Sequence, residues 1–121
     1  MKKRVLVVDD EEAVIDLIRI LLVEAGYEVA TAENGRAALD RVKTFGPELV
    51  ITDITMPDME GIELMSRLRK SNKGLPIIAM SGNAVGMSFL KATKLFGAVA
   101  TLLKPFSNQE LLEVVEHTLS A

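Results

Sequence analysis

Five times along the chain a short apolar run gives way to a stretch whose apolar residues recur at helical spacing. Val5 to Val8 is the first run, and Ala13, Val14, Leu17, Ile18, Leu21, Leu22 and Ala25 follow at spacings of three and four, with Gly26 placed to end that helix in the left-handed conformation. Tyr27 to Ala32 is a weaker strand; Asn34-Gly35 punctuates it before Ala37, Ala38, Leu39 and Val42 outline a short helix that Gly46-Pro47 stops. Leu49 to Ile51 continues into Thr52 and Asp53, and a helix is expected from about Gly61 to Lys70 on Ile62, Leu64, Met65 and Leu68. Pro76 to Met80 is the fourth run. Gly82 and Gly86 dilute the start of the helical pattern after it, before Phe89, Leu90, Thr93 and Leu95 restore a periodic face. Ala98 to Leu103 is the fifth run, Ser107 and Glu110 have the spacing of a capping box, and Leu111, Leu112, Val115 and Leu119 form the stripe of a closing helix.

Continuous branched-apolar runs are what strands buried on both faces require, and strict alternation with helices implies parallel strands joined by right-handed crossovers. The predicted class is therefore α/β, a doubly wound five-stranded parallel sheet with helices on both faces. In such a sheet the carboxyl ends of all strands share one edge, where ligands bind. Four ends carry chemically distinct groups: Asp9 with Asp10, then Asp53, Ser81 and Lys104. Alone, Asp53 reads first as a turn residue, and Asp9 and Asp10 as helix caps. Convergence on one edge changes that reading. Gathered carboxylates repel one another unless a cation joins them, and hard oxygen ligands suit Mg²⁺. A hydroxyl and an ammonium beside them can hold phosphoryl oxygens, so the set has the parts that phosphoryl transfer to a carboxylate requires.

Composition narrows the alternatives. A chain of 121 residues with 49% apolar content is the size of one domain with one core. Its 14 basic and 17 acidic side chains give a net charge of −3 without a block of one sign, so neither nucleic acid nor a membrane surface is an expected partner. Cysteine is absent, which leaves no thiolate site. Met1 to Arg4 is a basic start, but the apolar run after it ends at Asp9, too short for a signal peptide, and a cytoplasmic protein is expected. The methionines and phenylalanines lie in or beside apolar runs and read as core. His117 falls in the closing helix, remote from the strand ends, and reads as a surface position.

With Asp9-Asp10, Asp53-Ile-Thr-Met-Pro57, Ser81 and Lys104-Pro105-Phe106 in these positions, the chain resembles the receiver domain of bacterial two-component response regulators over essentially its whole length. That resemblance implies the flavodoxin-like strand order 2-1-3-4-5 and a phosphoacceptor at Asp53, with Ser81 and Lys104 binding phosphoryl oxygens. It implies Mg²⁺ held directly by Asp10, Asp53 and the backbone carbonyl of Thr55, with Asp9 acting through water, and a cis bond before Pro105. The implied donor is a sensor histidine kinase or a histidine phosphotransferase. The implied output is a downstream target docking on the fourth helix, fifth strand and fifth helix. The expected organisation is a stand-alone receiver over residues 1–121 with no output domain, catalysing only its own phosphorylation and dephosphorylation. Receivers usually carry an aromatic switch residue three positions before the lysine; here that position is Thr101. A change around Phe89, Lys91, Thr93 and Lys94 is therefore expected to follow the loop after Ser81 instead. Thr55 and Asn83 occupy positions that in the family tune phosphoryl lifetime. A phosphatase of the haloacid dehalogenase type would need a second acid where Thr55 stands, and a receiver serving only as a docking surface would not need all five site residues.

Overall fold

The computed structural model describes residues 2–54, 61–82, 94 and 97–120. Within them the strands are β1 (Arg4–Val8), β2 (Glu28–Ala32), β3 (Leu49–Asp53), β4 (Ile77–Gly82) and β5 (Ala98–Lys104), and the helices are α1 (Glu12–Glu24), α2 (Gly35–Phe45), α3 (Gly61–Ser71) and the closing helix α4 (Asn108–Ser120). All pairings are parallel, in the order β2-β1-β3-β4-β5. The helix expected around Phe89, Leu90, Thr93 and Leu95, together with Thr55 and Asn83, lies outside the described residues.

Strand alternation divides the core into two layers. Leu6, Val8, Val50, Ile77 and Ala79 face Ala38 of α2 and Leu64, Met65 and Leu68 of α3. Val5, Val7, Leu49, Ile51, Ile78, Met80 and Leu102 face Ile18 and Leu22 of α1 and Leu111 and Val115 of α4. Burial of both faces explains why the strands read as unbroken apolar runs rather than alternating ones.

The predicted helix ends hold. Gly26 and Gly46 adopt positive φ at the ends of α1 and α2, as chain reversal after a helix requires. Asn34 caps α2 through the bond from Ala37 N–H to its Oδ1 at 2.8 Å. Both halves of the α4 capping box form, with Glu110 N–H donating to Ser107 Oγ at 3.0 Å and Ser107 N–H to Glu110 Oε1 at 3.2 Å.

Two details differ from expectation. The buried face of α1 is Ile15, Ile18 and Leu22, whereas Ala13 and Leu17 are exposed; the helix presents a narrower stripe to the sheet than its apolar content suggests. Strand β4 also runs two residues further than Met80, because Ser81 and Gly82 stay in register with Leu103 and Lys104 of β5. Ser81 therefore stands at the carboxyl end of the strand, as expected, and is still paired there. No helix among the described residues is long and apolar enough to cross a membrane.

Candidate functional site

Asp53 is the last residue of β3, paired with Met80, and Lys104 is the last residue of β5, paired with Gly82. Each continues the alternate positions that face α1 and α4, Leu49 and Ile51 leading to Asp53 and Leu102 to Lys104. Asp9 follows β1, its N–H bonded to Ala32 O at 3.2 Å, and β1 and β3 are neighbours at the point where strand order reverses. The site thus lies in the crevice that this topology provides.

There Lys104 Nζ lies 2.6 Å from Asp9 Oδ2 and 3.3 Å from Asp53 Oδ2. Asp9 is fully buried and Asp53 nearly so, while Asp10 is exposed. One carboxylate oxygen from each of Asp9, Asp10 and Asp53 lies within 4.8 Å of the others. Asp9 Oδ1 also accepts the Glu11 N–H at 2.9 Å, so this acid anchors the turn into α1 with one oxygen and meets the lysine with the other. Ser81 is fully buried on the neighbouring strand, and its hydroxyl donates to Gly82 O at 3.1 Å. The Lys104–Pro105 peptide is cis, as the resemblance implied.

The electrostatics follow from this crowding. Desolvation pushes the Asp10 carboxyl up, and its bond with Asp9 and the charges of Asp9 and Asp53 push it further. Burial alone would lower the Lys104 ammonium; the bond and charge of Asp9, then those of Asp53, outweigh burial and raise it. The residues fit a hard divalent cation: an all-oxygen donor set with one exposed member, its carboxylate oxygens within 4.8 Å of one another.

The response regulator receiver domain profile matches residues 5–116. The chain belongs to this family. It is 36% identical over 116 residues to the chemotaxis protein CheY of Thermotoga maritima, covering 95% of this chain and 96% of that one. With CheY of Bacillus subtilis the identity is 36% over 121 residues, covering 99% and 100%. With the alkaline phosphatase synthesis transcriptional regulatory protein PhoP of Bacillus subtilis it is 35% over 111 residues, 92% of this chain and 46% of the relative, so the chain spans about half of that protein. Among solved structures, a CheY-like receiver domain protein from Methanospirillum hungatei superposes with a TM-score of 0.92 at 32% identity, over 99% of this chain and 95% of that one. The chemotaxis response regulator CheY4 of Vibrio cholerae gives 0.88 at 31%, over 97% and 98%. Receiver domains interact with histidine kinases and downstream effectors, and the predicted flavodoxin-like order is the one found.

In this receiver the structure brings together Asp9, Asp10, Asp53 and Lys104, and sets Ser81 on the same edge. Two further residues matter that the sequence reading left unassigned. Gly61, the first residue of α3, donates its N–H to Ile54 O at 3.0 Å, and a Cβ there would lie 2.2 Å from Asp53 O and 2.4 Å from Ile54 Cα. Helix α3 therefore closes directly on the peptide that carries Asp53, and the signal in the sequence was the glycine at the expected helix start. Glu11 is the other: its Oε1 lies 3.8 Å from Lys104 Nζ, and in the run Asp9-Asp10-Glu11-Glu12 it reads only as one acid among four.

Proposed function

We propose that this receiver accepts a phosphoryl group on Asp53 in a Mg²⁺-dependent reaction that it catalyses itself. The observation that carries the proposal is the Lys104 ammonium held between the Asp9 and Asp53 carboxylates, with Asp10 beside them. Asp9, Asp10 and Asp53 would hold Mg²⁺ together with the backbone carbonyl of Thr55, which lies outside the described residues. The bound cation would supply charge neutralisation around the phosphoryl oxygens.

The remaining work falls to the chain. An Asp53 carboxylate oxygen attacks phosphorus in line while the bond from phosphorus to the nitrogen of the donor's phosphoimidazolium breaks; the electron pair stays on that nitrogen and the proton already on the other ring nitrogen leaves the donor histidine neutral. Lys104 turns from Asp53 Oδ2 to a phosphoryl oxygen without leaving Asp9, its closer partner. Ser81, whose hydroxyl rests on a main-chain carbonyl, can redirect that hydrogen to a second phosphoryl oxygen. The donor is a sensor histidine kinase or a histidine phosphotransferase. The target docks on the surface formed by the segment between β4 and β5, strand β5 and helix α4. The reaction takes place in the cytoplasm, with neither nucleic acid nor membrane as a direct partner, and residues 1–121 act as one receiver unit.

Intact-mass measurement after incubation with acetyl phosphate and Mg²⁺ tests the chemistry. One added phosphoryl group is expected, absent with chelator and absent in Asp53→Asn. An equally phosphorylated Asp53→Asn protein would remove Asp53 from its role.

A further inference from the structure

The run Asp9-Asp10-Glu11-Glu12 contains more acids than the cation site uses, and Glu11 is placed to act on what enters. It occupies the N-cap position of α1, where its N–H donates to Asp9 and its carbonyl accepts from Val14 and Ile15, yet its side chain makes no capping bond. The carboxylate instead reaches to 3.8 Å from Lys104 Nζ while remaining 65% exposed, against 17% for the lysine side chain. Together with Gly82, Lys104, Pro105 and Phe106 it lines a groove of about 540 Å³ that opens beside the site. Glu11 is thus a solvent-facing acid beside the buried Asp9 and Asp53 and the mostly buried Lys104.

The charge balance gives that position a consequence. Asp9, Asp10 and Asp53 set against Lys104 and one divalent cation sum to zero, so the loaded site is neutral without Glu11. Glu11 adds one uncompensated negative charge at the mouth. An incoming phosphodonor is an anion, and its repulsion by that charge grows with its own charge. Taking Asp53 as the acceptor, we propose that Glu11 is a specificity-determining residue that discriminates phosphodonors by charge, holding back free dianionic donors relative to monoanionic ones.

Two small donors separate the charge effect from the chemistry. With acetyl phosphate, a dianion at neutral pH, an Asp53 oxygen forms the new bond to phosphorus as the bond to the acetyl oxygen breaks, and acetate leaves with its electron pair. With phosphoramidate, a monoanion because its nitrogen is protonated, the phosphorus–nitrogen bond breaks and ammonia leaves already carrying its protons. The acceptor step is the same, and only the donor's charge differs on approach.

Initial rates of Asp53 phosphorylation, read by intact mass at saturating Mg²⁺, should be compared for the parent, Glu11→Gln and Glu11→Asp. An exposed charge acting across several ångströms of water is worth a rate factor of about three to ten at low ionic strength and little at high. Glu11→Gln should therefore speed acetyl phosphate by that factor and phosphoramidate by clearly less, and the difference should collapse in high salt. Glu11→Asp, which keeps the charge, should keep the parent's ratio of the two rates. A ratio unchanged in Glu11→Gln, or one whose change is insensitive to salt, overturns the proposal. A parent protein that neither donor phosphorylates would overturn the acceptor reading itself, and the donor discrimination with it.

Discussion

Replacing Gly61 with alanine adds a single methyl group at the place where α3 meets the Asp53 peptide. That methyl carbon would lie 2.2 Å from Asp53 O and 2.4 Å from Ile54 Cα, both backbone atoms that no side-chain rotation can move aside. Reaching ordinary contact requires a separation of about 1 Å or more between the helix start and the strand end, and overpacking of this kind costs about 1–3 kcal/mol. The gain from removing a helical glycine, about 0.4–1 kcal/mol, opposes it without cancelling it. For a chain of 121 residues the unfolding entropy makes each kcal/mol worth about 4 °C, so a net loss of about 1–2 kcal/mol lowers Tm by about 4–8 °C. The functional effect should be the larger one, because the displaced group is the Asp53 carbonyl itself, and a misplacement near 1 Å can slow a positioned reaction by about 100-fold. Thermal melts and phosphorylation rates on Gly61→Ala measure both. Gly74→Ala is the control, since a Cβ there meets nothing within 4 Å and should leave both readings near the parent's. A Gly61→Ala protein as stable and as fast as the parent would refute the close approach of α3 to Asp53.

Mg²⁺ should raise the melting temperature in proportion to RT ln(1 + [L]/Kd), and the rise should largely vanish in Asp10→Ala; without metal, that substitution should leave stability unchanged or higher, because it removes a carboxyl that desolvation and then its acidic neighbours push up. A parent melt indifferent to Mg²⁺ would exclude the cation site. In chelator, the fold should lose stability above about pH 10: Lys104 is raised from an ordinary value of 10.5 and Tyr27 from 10.0, the latter by burial and then by Glu116, so the folded state holds both protons more tightly than the unfolded chain. Their contribution is complete below those ordinary values and lost as pH rises through the folded ones, and melts that are flat from pH 9 to about 11 would contradict it. With beryllofluoride as phosphoryl mimic, amide shifts along β5 and α4 should survive Thr101→Val and be lost in Ser81→Ala; the opposite pattern would put the signal through Thr101.

Much of this was legible in the chain because the determinants are local. Apolar runs broken by Gly26, Gly46-Pro47 and the Ser107–Glu110 box set the elements, and a parallel sheet leaves no choice about which edge collects the strand ends. Asp9, Asp53 and Lys104 could be paired in advance for that reason alone. What escaped depends on distances between segments far apart in sequence. The role of Gly61 appears only once α3 is seated against the Asp53–Ile54 peptide, and Glu11 matters only because Lys104, far along the chain, reaches back to it. Leu17 belonged to the apolar pattern of α1 yet is exposed, since periodicity fixes a stripe but not how much of it the sheet can cover. The continuation of β4 through Ser81 depends on its pairing with Leu103, a property of β5 and not of β4's own residues.

The central claim is that of three clustered aspartates it is Asp53 that becomes the acyl phosphate. Borohydride reduces an aspartyl phosphate to homoserine, which survives digestion and can be located by peptide sequencing in a mass spectrometer. After phosphorylation in Mg²⁺, homoserine should appear at position 53, with Asp9 and Asp10 intact. Homoserine at position 9 or 10, with Asp53 unmodified, would contradict the account at its base.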